Sequence, residues 1–199
     1  VTRSSAVRTP TDRTNRLESF DRLSYGRAMK LSTVSNIALD EADLKILDVL
    51  QADGSLSIAA VAERTGLSQN GCWRRIRRLE EEGVISARVT LLNPKKVGLN
   101  LTVFIHVKAS EHSEEWFDAF YATVAAMPEV VEFYRMAGEV DYLIKLIVAD
   151  ISAYDSVYKR LIKAVKIVNV TSTFAVEVLK LTTALPLAQR ALPDAVPAA

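Results

Sequence analysis

Gly66-Leu67-Ser68 constrains this chain more than any other three residues, because apolar residues recur at helical spacing on both sides of it. In SIAAVAERTG before it, Ile58, Val61 and Ala62 share one face; in SQNGCWRRIRRLEEEG after it, Cys72, Ile76 and Leu79 share one face. Glycine is the residue that closes a helix most easily, and serine is among the best N-caps for the next. A three-residue connection therefore forces a tight turn between two helices. Upstream, LDEADLKILDVLQADG supplies another helix, with Asp40 as N-cap, Leu39, Leu44, Leu47 and Leu50 recurring, and Gly54 as stop. Three short helices joined in this way fit a helix-turn-helix layout.

The third helix sorts its charges end from end: Arg74, Arg75, Arg77 and Arg78 come first and Glu80, Glu81 and Glu82 follow. At about 100° per residue, Asn70, Arg74, Arg77 and Arg78 fall broadly opposite the apolar face. An arginine fork binds a guanine edge or a phosphate, and asparagine pairs with adenine in the same groove. Acidic groups are repelled by phosphate, so only the front half is expected to enter DNA. Glu81 and Glu82 sit four residues after Arg77 and Arg78, where exposed pairs contribute a few tenths of a kcal/mol. We read Ser68, Gln69, Asn70, Arg74, Arg75, Arg77 and Arg78 as the DNA-contacting set, with Arg75 on the flank mattering less. Trp73 is expected to wedge between helices, and Cys72 to pack. Residues 31–92 hold seven basic and nine acidic residues, and the whole chain carries a net charge of +1. The positive field must therefore be a narrow stripe.

Beyond Gly83 the periodicity changes. VISARVTLLNP alternates as a strand does, and KKVGLN is a hinge. Then come the strand LNLTVFIHVKAS, a helical SEEWFDAFYATVAAM, the strands VVEFYRMAG and DYLIKLIVAD, a helical SAYDSVYKRLIKAV and the strand NVTSTFAVEVL. The order β-α-β-β-α-β implies a ferredoxin-like sandwich, two helices on one antiparallel sheet. Helices cover only one sheet face. The other carries Thr102, Phe104 and His106, so a second subunit's sheet is expected there.

The expected class is α+β: an N-terminal winged-type helix-turn-helix domain and a C-terminal ferredoxin-like βαββαβ domain. The expected boundaries are a disordered basic extension over 1–36, the helix-turn-helix over 37–83 and a strand and hinge linker over 84–98. The ferredoxin-like domain follows over 99–186, and a flexible tail over 187–199. Residues 1–28 are read as an upstream extension, since Met29 would serve as a natural start.

One cysteine excludes an internal disulfide framework and a cysteine-rich zinc site; two histidines, His106 and His112, without an HExxH pattern, argue against a histidine metal site. No nucleophile–base constellation or phosphate loop is present, so no catalytic residues and no cofactor are expected. No apolar run approaches 18 residues. A cytoplasmic protein without a membrane span is expected.

ALDEADLKILDVLQADGSLS, AAVAERTGLSQNGCWRRIRRLEEEGVI and MAGEVDYLIKLIVADISAY together resemble the leucine-responsive, or Lrp/AsnC (feast/famine), family of prokaryotic transcription regulators. The similarity covers about residues 38–186. It implies a regulator of amino-acid metabolism that binds double-stranded DNA and a small amino-acid effector, as a homodimer and a higher homo-oligomer. Relatives often carry Ala or Pro where this chain has Gly71. CWRRI resembles members that respond to cysteine or proline. Position by position, the resemblance assigns the effector to Gly138, Asp141, Tyr142, Ile151, Leu161, Phe174, Ala175 and Val176. A carboxylate such as Asp141 suits an ammonium group, and a glycine turn suits a carboxylate. The alternatives are an enzyme carrying an amino-acid-sensing domain and an RNA-binding module. The second would require aromatic residues in an RNP-type run, which is missing here.

Overall fold

Alternating burial along Leu101–Ala109 and Tyr142–Val148 sets the frame of the second half of the chain. The computed structural model describes residues 37–187 and divides them into two compact units, with the boundary in sequence at Val89 and Thr90 and with residues 183–187 grouped with the first. The expected extension over 1–36 and residues 188–199 of the expected tail lie outside the described residues.

The first unit holds helices α1 (Glu41–Ala52), α2 (Ile58–Thr65) and α3 (Gln69–Glu81). Each opens on a side-chain cap: Asp40, Ser57 and Ser68 accept from the backbone N–H of Asp43, Ala60 and Gly71. Asp40 and Asp43 form a reciprocal capping box, which satisfies two otherwise orphaned backbone donors. Gly66 ends α2 in the left-handed region at φ 71°, where a side chain would be strained, and so redirects the chain into α3. Leu39, Ile46, Val61, Ala62, Cys72, Ile76 and Leu79 form the core. Leu185 belongs to this unit as well: the Gln51 amide donates to its carbonyl and accepts from its N–H.

The stretch expected as a strand, Val84 to Pro94, is not one. Val84 and Ile85 pack against the first core, but Val89, Leu91 and Leu92 lie exposed and no ladder forms. Alternation qualifies a segment for a sheet, yet a strand exists only when a neighbour supplies hydrogen bonds, and no described segment does so here. A 3-10 turn, Pro94–Val97, follows.

The second unit is β1 (Leu101–Ala109), α4 (Glu114–Ala125), β2 (Val130–Arg135), β3 (Tyr142–Val148), α5 (Ile151–Ala164) and β4 (Ile167–Phe174). The sheet order β2-β3-β1-β4 is antiparallel throughout, the ferredoxin-like arrangement expected. Val103, Ile105 and Val107 of β1 and Ile144, Leu146 and Val148 of β3 face Trp116, Phe120 and Val124 of α4 and Val157 and Leu161 of α5. Phe120 is fully buried among rings, 4.8 Å from Trp116, 5.1 Å from Tyr142 and 5.6 Å edge-on to Phe133 between centroids.

Two outcomes follow from this packing. Phe120→Ala removes the centre of the aromatic cluster and is expected to cost about 3–5 kcal/mol. Chemical denaturation checks it; a loss under about 1 kcal/mol would contradict it. The second concerns acid. The Asp43 N–H, helped by the Arg75 guanidinium against partial burial, holds the Asp40 carboxyl below its ordinary range. A depressed folded pKa gives stability that is present above the unfolded value, about 3.9, and lost as pH falls through the folded one. Asp40→Asn keeps a good cap but removes the charge. Its melting temperature is therefore expected to fall less than the wild type's between neutral pH and pH about 2.5; equal falls would contradict the assignment.

Candidate functional site

The outer face of α3 begins at its cap, where the Ser68 hydroxyl accepts the Gly71 N–H at 3.1 Å. Cys72, Ile76 and Leu79 point into the core, as their spacing requires, and Gln69, Asn70, Trp73, Arg74 and Arg77 are exposed. The four arginines have three different fates. Arg75 and Arg78, one turn apart on the same flank, turn toward α1. Arg75 Nη1 donates to Asp40 Oδ2 at 2.7 Å and to Asp43 Oδ1 at 2.8 Å, and Arg78 Nη2 donates to Asp43 Oδ2. The Asp43 side chain is 1% exposed. Hydrogen bonds to Asp43 and Asp40 push the Arg75 pKa up, so its charge is fixed.

Arg77 leans the other way. Its Nε meets Glu81 at 2.8 Å, and its guanidinium carbon lies 5.6 Å from the centroid of the Trp73 ring. Trp73 is 52% exposed and is no wedge between helices: at about 100° per residue it lies beside Arg77, away from the buried seam. Arg74 lies between these flanks, and among the described residues it forms no ion pair with a carboxylate. Glu82 does not hold Arg78, because the nearly dry Asp43 does. Glu80 pairs with Arg88 at 2.9 Å. Asp43 was the residue that sequence reasoning passed over; its place three after the Asp40 cap was the available signal.

The effector candidates all lie in the second unit, but one protomer does not bring them together. Gly138 turns β2 into β3 at φ 140°, in the left-handed region, and Asp141 stands just before β3. Asp141 Oδ2 accepts the Ala109 N–H at 2.8 Å, while its own N–H donates to the Val107 carbonyl at 3.1 Å. His112 Nε2 stands 4.0 Å from its other oxygen. Tyr142 pairs with Val107, and its side chain is buried in the aromatic cluster. Leu161 is buried beneath the helices as well. Phe174 pairs with Val103, four residues along β1, or about 14 Å at about 3.4 Å per residue. Ala175 donates to Thr102, and Ile151 starts α5 after Val148, which pairs with Leu101; both belong to this far end. Val176 is fully exposed. Thus Gly138 and Asp141 occupy one end of the sheet, and Ile151, Phe174, Ala175 and Val176 the other. Among the described residues no cluster of His, Cys, Asp and Glu could hold a metal ion, and no helix is long and apolar enough to cross a membrane.

Known proteins carry both units in this order. Residues 39–86 match a family described as winged helix-turn-helix DNA-binding, and residues 102–185 match the Lrp/AsnC ligand binding domain. The chain is 54% identical over 149 residues to the glutamate uptake regulatory protein of Zymomonas mobilis, covering 75% of this chain and 91% of that protein. It is 48% identical over 150 residues to the DNA-binding transcriptional activator DecR of Escherichia coli (strain K12), covering 75% and 99%. The crystal structure of an AsnC family transcriptional regulator from Agrobacterium tumefaciens superposes with a TM-score of 0.73 at 51% identity, covering 75% and 98%. A Neisseria meningitidis transcriptional regulator in complex with L-Met gives 0.71 at 35% identity, covering 75% and 97%. With a capped helix-turn-helix in front and a ligand-binding ferredoxin-like sheet behind, this chain belongs to the Lrp/AsnC family of DNA-binding transcriptional regulators.

Proposed function

We propose that α3 reads an operator in the major groove with Asn70, Arg74 and Arg77, and that a small amino acid tunes operator affinity or assembly. The observation that carries this reading is the position of Arg74, exposed at the front of a capped helix and paired with no carboxylate among the described residues. A free guanidinium can give its whole fork to a base edge or phosphate. Trp73 and Glu81 hold Arg77 beside it.

The effector is an amino acid of small size, in keeping with regulation of amino-acid metabolism. The similar regulator from Neisseria meningitidis was solved with L-Met. Asp141 is the group for its ammonium, with one oxygen on the Ala109 N–H and the other turned toward His112. Since the two sets of candidate residues stand at opposite ends of one sheet, the site is completed by a second copy, the Asp141 end of one protomer meeting the Phe174 end of another. The sheet face away from the helices supports a dimer: half-buried Phe104, Leu143 and Ile147 surround a Lys145–Glu132 pair at 2.6 Å. A ligand at contacts between copies biases the assembly equilibrium by its preference for the assembled state.

Two measurements test this. Arg74→Ala is expected to weaken binding to a duplex enriched from a random pool by about 1–3 kcal/mol without lowering the melting temperature; unchanged affinity at fixed salt would remove α3 from the readout. A thermal-shift screen of the twenty amino acids is expected to yield an effector, since a ligand at 100 times its Kd adds about 2.7 kcal/mol. Asp141→Asn, which still accepts from Ala109, should lose that shift and keep effector-free DNA binding. A retained shift would rule out Asp141.

A further inference from the structure

Asp43 is a side chain for which a surface DNA-reading helix has no evident need: a carboxylate nearly out of water on α1, the helix behind the recognition helix. Its two oxygens take one guanidinium each, Arg75 on Oδ1 and Arg78 on Oδ2, and Oδ2 also accepts the Asp40 N–H at 3.2 Å. Asp40 adds a second carboxylate to Arg75. Two carboxylates and two guanidiniums make a neutral cluster. The Nε of Arg78 is buried with no hydrogen-bond partner, so this guanidinium is drawn into the interface even at the cost of one donor.

We propose that Asp43 is a positioning residue for DNA recognition, which fixes α3 against α1 and withdraws Arg75 and Arg78 from the phosphates. This rests on the reading of α3 as the recognition helix. The physical reason is selectivity. Arginines on phosphate add affinity for any sequence, whereas arginines on base edges discriminate. A helix with four unpaired arginines would hold every duplex. With two neutralised from behind and one steadied by Trp73 and Glu81, the field narrows to the stripe around Arg74. The same arrangement accounts for the lack of basic excess in residues 31–92, since some of the acids serve as internal counter-charges.

The test is the dependence of log affinity on log salt for a mixed-sequence duplex, measured with the full chain. Each phosphate contact contributes about 0.9 to that slope. Arg75→Gln and Arg78→Gln each leave Asp43 one guanidinium; both are expected to keep the wild-type slope. A slope shallower by about 0.9 in either variant would make that arginine a phosphate contact and overturn the proposal. Asp43→Asn frees Arg78 and leaves Arg75 only its Asp40 contact, so its slope should steepen by about 0.9 to 1.8 and the ratio of selected to mixed-sequence affinity should drop. A folded Asp43→Asn protein with the wild-type slope and ratio would leave Asp43 a purely structural residue, which overturns the proposal too. If Asp43→Asn does not fold, the two arginine variants decide alone. Failure of Arg74→Ala to weaken operator binding would instead count against α3 as reader, so the two readings fail separately.

Discussion

A carboxylate taken out of water must be met by cations, and Asp43 is met by two of the four arginines on α3. The first unit is organised around that requirement. The cap at Asp40 fixes the first turn of α1, that turn fixes Asp43, and Asp43 fixes the flank of α3 that carries Arg75 and Arg78. On its other side α3 is held by Cys72, Ile76 and Leu79 in the apolar core. Packing sets the depth of the helix, and in the positioning role proposed for Asp43 the ion pairs set its rotation. The stability gained from such pairs is modest, since desolvation offsets much of the attraction. The consequence proposed for them is orientation, which decides the guanidiniums that can reach a ligand.

The second unit applies a different constraint. Its sheet puts Gly138 and Asp141 at one end of β1 and Phe174 and Ala175 at the other. Two residue sets about 14 Å apart along a strand cannot together hold one small zwitterion within one protomer. In the proposed reading, sensing and assembly are one event, because the ligand binds where subunits meet. Tyr142 and Leu161 contribute differently from the polar candidates. Their side chains are buried in the core, so they shape the sheet that carries the polar candidates.

Where period and burial coincide, the sequence was legible. Cys72, Ile76 and Leu79 recur at helical spacing and lie inside; Val103, Ile105 and Val107 alternate and face the helices. The family was legible too, because its motifs fall at turns and caps that local chemistry dictates. The fates of Arg75, Arg78 and Trp73 were not legible. A helical wheel gives direction within one helix, but the pull on Arg78 comes from an acid 35 residues earlier on another helix. The stretch from Val84 to Pro94 misled for the opposite reason: its alternation is real, and the partner a strand needs is missing among the described residues.

The measurement that bears most directly on the account is a structure of the chain bound to an operator duplex. It should show the front half of α3 in the major groove, the Arg74 guanidinium within hydrogen-bond reach of a base edge or phosphate, and Arg75 and Arg78 still on Asp43. A complex in which Arg75 and Arg78 have left Asp43 for the phosphates, or in which α3 faces away from the groove, would contradict it.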